Sequence, residues 1–268
     1  DMDNDGDLDM YQVNQLADKK LLLLNKIPRE QFKYLRDRLY RNDNGKFTDV
    51  SKQVGISTDV SYGLSVNASD FNNDGWMDLY VANDYAEPDF MYYNNGDGTF
   101  KNVINEELKH ITQLSMGSDT GDFNNDGLLD LITTDMTPED HYRSKTNMAS
   151  MSTEAFNTIV EAGAHRQYMA NSLQINTGLG SFSDIANMAG ISNTDWSWAS
   201  LLVDIDNDGV NDFTDDGVTP LDNCPVDVNS LQEDYDLDSL GNVCDSDGDD
   251  DGFEGPFGGG NGTESATD

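Results

Sequence analysis

Four times the chain spells Asp-x-Asp/Asn-x-Asp-Gly-x-x-Asp, each copy leading into the next stretch of sequence at its ninth residue. The copies are Asp1-Met-Asp-Asn-Asp-Gly-Asp-Leu-Asp9, Asp70-Phe-Asn-Asn-Asp-Gly-Trp-Met-Asp78, Asp122-Phe-Asn-Asn-Asp-Gly-Leu-Leu-Asp130 and Asp204-Ile-Asp-Asn-Asp-Gly-Val-Asn-Asp212. Several carboxylates within nine residues repel one another unless a cation sits among them. Oxygen donors at alternate positions around a glycine turn suit a hard divalent ion such as calcium. The EF-hand is the competing reading, but its twelfth position requires a bidentate Glu. Here that position holds Gln12, Val81, Thr133 and Asp215. The segments Leu79-Tyr-Val-Ala and Leu131-Ile-Thr-Thr after the loops also favour strand over helix. The EF-hand is rejected.

A second element recurs between the loops. It reads Leu39-Tyr-Arg-Asn-Asp-Asn-Gly-Lys-Phe-Thr-Asp49, Met91-Tyr-Tyr-Asn-Asn-Gly-Asp-Gly-Thr-Phe100 and Leu173-Gln-Ile-Asn-Thr-Gly-Leu-Gly-Ser-Phe-Ser-Asp184. Apolar residues on both sides of an Asn/Gly tract predict a β-hairpin. A third element follows, Val54-Gly-Ile56 and Ala189-Gly-Ile191. After it come Ser61-Tyr-Gly-Leu-Ser65, Leu114-Ser-Met-Gly-Ser118 and Trp196-Ser-Trp-Ala-Ser200. Each unit therefore reads as loop, strand, hairpin and a strand into the next loop, the pattern of a β-propeller blade. The loops start at 1, 70, 122 and 204, so they lie 69, 52 and 82 residues apart. The excess over about fifty is read as insertion, near 14–38 with an amphipathic helix over Arg29–Arg38, and near 137–171 with a helix over Ser152–Ala162.

Composition narrows the partners. In 268 residues, 51 Asp and Glu face 15 Lys and Arg, a net charge of -36. That balance excludes a nucleic-acid-binding face. Disorder or a halophilic surface would share the acidity, but here the acids cluster at periodic sites. The longest apolar run, Leu21–Leu24, is too short for a membrane span. The chain opens inside a motif, which predicts a fragment of a longer protein whose N-terminus and any export signal lie upstream. Weak acidic loops would stay empty at cytosolic calcium levels, so an extracellular setting is expected.

Residues 1 to about 214 resemble the FG-GAP/VCBS repeat proteins, whose blades also build the integrin α-chain propeller. Asp-Phe-Asn-Asn-Asp-Gly, Asn-Gly-Asp-Gly-Thr-Phe and Asn193-Thr-Asp-Trp-Ser-Trp-Ala-Ser200 look like the large bacterial secreted members, some of which carry an ASPIC/UnbV module. The resemblance implies calcium held by side chains at loop positions one, three, five and nine, and by a backbone carbonyl at position seven. Those side chains are Asp1, Asp3, Asp5 and Asp9; Asp70, Asn72, Asp74 and Asp78; Asp122, Asn124, Asp126 and Asp130; and Asp204, Asp206, Asp208 and Asp212. Such propellers usually close with seven blades. Three units and the start of a fourth imply an all-β fold with an open propeller of three to four blades and exposed edges.

Beyond Asp204 the text changes. Asp222-Asn-Cys-Pro through Gly-Asn-Val-Cys-Asp245 resembles a thrombospondin type 3 repeat, irregular and nearly coreless, over 204–252. It shares the 204–212 loop with the blades. Its acidic pattern implies further calcium ligands at Asp234, Asp236, Asp238, Asp245, Asp247, Asp249 and Asp251. Metal binding would supply much of such a segment's folding free energy. Cys224 and Cys244 are most simply one disulfide in an extracellular chain, with two buried free thiols as the alternative. Residues 253–268, rich in glycine, read as a flexible linker.

No catalytic constellation is expected. His110, His141 and His165 sit in unrelated contexts, and no Gly-x-Ser-x-Gly, Walker or His-Glu-x-x-His motif occurs. The dense carboxylate pairs are accounted for as cation ligands. Trp196 and Trp198, with Tyr92 and Tyr93, suit sugar stacking, although aromatics in such strands are more often core. The leading expectation is a non-catalytic, calcium-stabilised extracellular adhesion or ligand-binding module with an unknown protein or glycan partner. The alternative is a non-catalytic propeller domain of a larger surface enzyme or glycan-handling complex; an enzyme ranks third.

Overall fold

The computed structural model describes residues 1–15, 35–57, 61–84, 87–146, 153–161 and 163–203. Residues 1–122 and 127–201 make up one compact unit, and residues 123–126 and 202–203 fall outside it. The chain is mostly antiparallel β-sheet. Strands β1 (Met10–Gln12), β2 (Arg38–Asp43) and β3 (Lys46–Asp49) form a first sheet in that order. Strands β4 (Gly63–Ser69), β5 (Asp78–Asn83), β6 (Phe90–Asn94) and β7 (Phe100–Asn102) form a second. A short β8 (Ile111–Thr112) precedes β9 (Ser118–Gly121) and β10 (Asp130–Thr133). These two join β12 (Ser172–Asn176) and β13 (Phe182–Asp184) in a third sheet of order β13-β12-β10-β9.

The strands that follow the second and third loops are central in their sheets, which explains their unbroken burial. Every residue of β5 and of β10 is buried. Successive side chains of a strand point to opposite faces, and β5 feeds two separate cores. Leu79 and Val81 pack with Met2, Leu39, Val50, Val54, Ile56, Tyr92 and Phe100. Tyr80 and Ala82 pack with Phe71, Met91, Val103, Leu108, Ile111, Leu131 and Phe182. The second sheet is thus covered on both faces. Burying each such aliphatic or aromatic side chain contributes about 1.5–3 kcal/mol.

All three expected hairpins are present. The β2–β3 turn places Asn44 and Gly45 at φ 54° and 86°, with Asp43 opposite Lys46, the two-residue turn whose twist matches the strands. The β6–β7 and β12–β13 turns are longer and close through Asn95 N to Thr99 O (2.9 Å) and Thr177 N to Ser181 O (3.2 Å). The Val-Gly-Ile and Ala-Gly-Ile elements are not strands. They end helical turns, one of them α1 (Ser51–Val54), at glycines in the left-handed region, and so tuck Ile56 and Ile191 into the interior. Gly55 has no room for a side chain, since a Cβ there would meet Phe100 O at 2.6 Å.

Of the first expected insertion, residues 16–34 lie outside the described residues, and the helix placed on Arg29–Arg38 is not seen at its described end, because Arg38 opens β2. The second insertion holds α3 (His141–Thr146) and α4 (Thr153–Glu161), the latter as expected. It also holds β11 (Gln167–Tyr168), which pairs in parallel with β8. Phe156 of α4 stacks on Tyr168, ring centres 5.2 Å apart. Besides these, α2 (Ile104–Glu107) follows β7. The lead-in segments form β4 and β9 as expected, whereas Trp196–Ser200 forms no strand.

Candidate metal centre

Each described loop is wound by its own first aspartate. Asp5 N and Gly6 N donate to the two oxygens of Asp1 at 3.1 and 2.9 Å, and Asp74 N and Gly75 N do the same to Asp70 at 3.0 and 2.8 Å. Gly127 N donates to Asp122 Oδ2 at 2.7 Å. The winding needs two left-handed positions. The fourth residue is Asn4, Asn73 or Asn125, at φ 55–56°, and the sixth is glycine at φ 85–94°. Asn tolerates that conformation best among residues with a side chain, and glycine adopts it freely.

The ninth aspartate joins the loop to the hairpin. Asp9 Oδ1 accepts from Asn42 N (2.8 Å), Asp78 Oδ1 from Asn94 N (2.8 Å) and Asp130 Oδ1 from Asn176 N (2.7 Å). In the first two loops the second oxygen accepts from Met2 N (2.6 Å) and Phe71 N (3.0 Å). The hairpin asparagines extend the link. Asn94 Nδ2 donates to Met2 O of the preceding loop at 2.7 Å, and Asn176 Nδ2 to Phe71 O at 2.8 Å. Each of these loops is thereby tied to the hairpin of the next sheet. Sequence reading had placed these asparagines in the hairpins without a role; their recurrence three residues after Leu39, Met91 and Leu173 is the signal that marks them.

The donor set fits a hard cation. Carboxylate oxygens of Asp1, Asp3 and Asp9 lie within 4.8 Å of one another, and Asp3 Oδ1 is buried without a hydrogen-bond partner. Burial, then the neighbouring charges of Asp5 and Asp9, push the Asp3 carboxyl above its ordinary range. Burial, reinforced by Asp74 and Asp70, raises Asp78 to about 7 against two backbone N–H donors that oppose it. Carboxyls crowded in this way gain most from a cation that offsets their mutual repulsion. In the second loop Asn72 takes the third position; its Oδ1 accepts Asp74 N at 3.1 Å and its Nδ2 donates to Asp74 Oδ2 at 3.0 Å. Asn124 and Asp126 repeat those two bonds at 3.1 and 3.0 Å.

Residues Asp204, Asp206, Asp208, Asp212, Asp234, Asp236, Asp238, Asp245, Asp247, Asp249 and Asp251 lie outside the described residues, as do Cys224, Cys244, the 204–252 segment and the 253–268 tail.

A second repeated carboxylate sits just before the hairpins. Asp37 accepts from Ser61 Oγ (2.7 Å), Asn14 N (2.8 Å) and Tyr11 OH (3.1 Å). Asp89 accepts from Tyr80 OH (2.5 Å), Asn83 N (2.7 Å) and Ser115 Oγ (2.9 Å). Each pins the strand after the loop to the segment entering the next sheet. The third unit uses Asn171 instead, accepting from Asp135 N at 2.6 Å and donating to Ile191 O at 2.7 Å. Burial raises Asp89 to about 7, and burial first, with the Asp89 charge second, holds the Tyr80 hydroxyl well above its ordinary range as a donor.

The histidines occupy separate places. His110 Nε2 lies 2.8 Å from Asp184 Oδ2, His165 contacts Leu108 O and Arg166 O through its two ring nitrogens (3.0 Å each), and His141 starts the exposed α3. Tyr92 is core, as expected of such aromatics, and Tyr93 is partly buried against the second core. Trp196 and Trp198 depart from that expectation, being 53% and 63% exposed. No helix among the described residues is long and apolar enough to cross a membrane.

Set beside known proteins, the chain matches no curated one. Residues 1–81 and 70–133 match the FG-GAP-like repeat, a span that takes in the first three loops and the strands that follow them. The chain contains FG-GAP-like repeats.

Proposed function

We propose that the chain is a calcium-binding, non-catalytic adhesion or ligand-binding module of an extracellular protein of the bacterial secreted type. Its three sheets act as blades of an open propeller, and each loop holds one calcium ion. In the first loop Asp1, Asp3, Asp5 and Asp9 would supply the oxygens, in the second Asp70, Asn72, Asp74 and Asp78, and in the third Asp122, Asn124, Asp126 and Asp130. The ion would neutralise the crowded carboxylates and brace the loop that each ninth aspartate ties to its hairpin. The observation carrying this reading is the buried, unpartnered Asp3 Oδ1 within the Asp1–Asp3–Asp9 carboxylate cluster. The 204–252 segment, read as a thrombospondin type 3 repeat closed by Cys224 and Cys244, would serve as an ion-dependent spacer.

Calorimetric titration of the chelated protein with calcium tests this. Saturable binding is expected, with Asp3→Ala, which takes away the third-position oxygen altogether, removing one site and leaving the others. Extracellular acidic modules hold calcium with Kd about 10⁻⁴–10⁻³ M. Absence of saturable heat, or an unchanged stoichiometry in Asp3→Ala, would sink the assignment of the first loop. A second reading, a non-catalytic propeller domain of a larger surface enzyme or glycan-handling complex, draws support from the exposure of Trp196.

A further inference from the structure

Trp198 stands where the repeat elsewhere buries its side chain. Ser61-Tyr-Gly, Ser115-Met-Gly and Ser197-Trp-Ala align, which puts Trp198 level with Tyr62 and Met116. Those two are 5% and 4% exposed, against 63% for Trp198. Neighbouring Trp196 is also solvent-facing, and it forms one wall of an open cleft of about 480 Å³ lined by Arg143, Thr194, Asp195 and Trp196.

The cleft is held by specific contacts. Arg143, from α3, pairs with Asp195. Asp195 sits at φ 68°, a left-handed conformation that costs a non-glycine residue about 1 kcal/mol. It is kept there by its own N–H on Thr137 O (3.1 Å), by Trp196 N on its Oδ1 (3.0 Å) and by Ser197 N on its backbone O (2.8 Å). Thr194 Oγ1 accepts from Asn171 Nδ2 at 2.6 Å, anchoring the same turn to the third sheet. Strain maintained by surrounding bonds is characteristic of sites that present a side chain for binding.

The lining selects a ligand class. An indole face offers a flat apolar surface, and the guanidinium–carboxylate pair beside it offers donors and acceptors within one cleft. The pair is neutral as a unit, and the chain carries a net charge of -36, so anionic ligands are repelled. A ring with one C–H face and several hydroxyls satisfies every element of the lining. We propose that this cleft binds a neutral saccharide, with a pyranose stacked on Trp196 and its hydroxyls hydrogen-bonded by Arg143 and Asp195. This deepens the reading of the chain as a ligand-binding module and rests on it, while being independent of the loops as ion sites.

The test uses the whole chain in calcium. Its three tryptophans are Trp76, Trp196 and Trp198, so a Trp76→Phe background leaves fluorescence reporting on this region. Glucose, galactose, mannose, N-acetylglucosamine, maltose and cellobiose are titrated in turn. At least one is expected to give a saturable change with Kd about 1 mM, the range of a small ligand held by one stacking face and a few hydrogen bonds. Calorimetry on the parent, Trp196→Ala, Arg143→Ala and Trp198→Ala proteins follows. Trp196→Ala should abolish binding, Arg143→Ala weaken it about tenfold or more, and Trp198→Ala, outside the cleft, leave it intact. Silence from all six sugars, or parental affinity in Trp196→Ala, would overturn the proposal. Concentration-dependent self-association that Trp196→Ala removes would also overturn it, by making the patch a contact between copies. Saccharide binding that persists while calcium has no effect on melting would count against the ion assignment alone.

Discussion

Asp78→Ala is expected to melt about 10 °C below the parent protein even in chelator, from the loss of about 3–5 kcal/mol. The aspartate is fully buried and accepts Phe71 N at 3.0 Å and Asn94 N at 2.8 Å. Truncation leaves both backbone donors in a site that water does not reach, each costing about 1–3 kcal/mol. It also frees Asn94, whose side chain reaches Met2 O of the preceding loop, so two neighbouring loops should loosen together. In calcium the deficit should widen, because the second loop loses a ligand as well as a brace. The measurement is thermal melting of both proteins with and without the ion. A deficit of less than about 2 °C in chelator would mean that the ninth aspartate is no structural brace.

Asp89→Ala should be comparably damaging, again about 3–5 kcal/mol, since it strands Tyr80 OH, Asn83 N and Ser115 Oγ inside the core. Asp89→Asn isolates the charge. Burial raises the native carboxyl from 3.8 to about 7, so the folded state binds its proton more tightly than the unfolded chain does. Its contribution to stability is therefore complete below pH 3.8 and is lost as pH rises through about 7. Asp135, which burial raises to about 6, acts in the same direction. Denaturant melts of the parent at pH 5 and pH 8 should show lower stability at pH 8, with a smaller drop in Asp89→Asn. Equal drops in the two proteins would contradict the assignment.

What was legible in the sequence is what is local. The carboxylate spacing within nine residues, the glycine at position six and the Asn-Gly turns act over distances the chain spells out, and the three described loops, the strands that follow them and the hairpins lie where those signals put them. Asp37 was hidden in Arg36-Asp37-Arg38, which reads as exposed charge, because its partners Tyr11 and Ser61 lie 26 and 24 residues away. The hairpin asparagines were visible but not their task, since Asn176 reaches Phe71 O across 105 residues. Trp198 follows the pattern that buries Tyr62 and Met116, yet burial depends on what packs over a side chain, and no local pattern specifies that. The left-handed Asp195 that presents Trp196 is likewise a product of tertiary bonds, with Thr137 O holding its N–H from outside the turn.

Thermal melting of the whole chain in calcium and in chelator bears most directly on the ion-bound loops. At calcium concentrations of about 10–100 times Kd each site stabilises the fold by about 1.4–2.7 kcal/mol, so the three described loops together should raise the melting temperature by at least about 10 °C. Magnesium, which demands a tighter octahedral shell and sheds water reluctantly, should do markedly less. A melting temperature that is the same in calcium and in chelator would contradict the account.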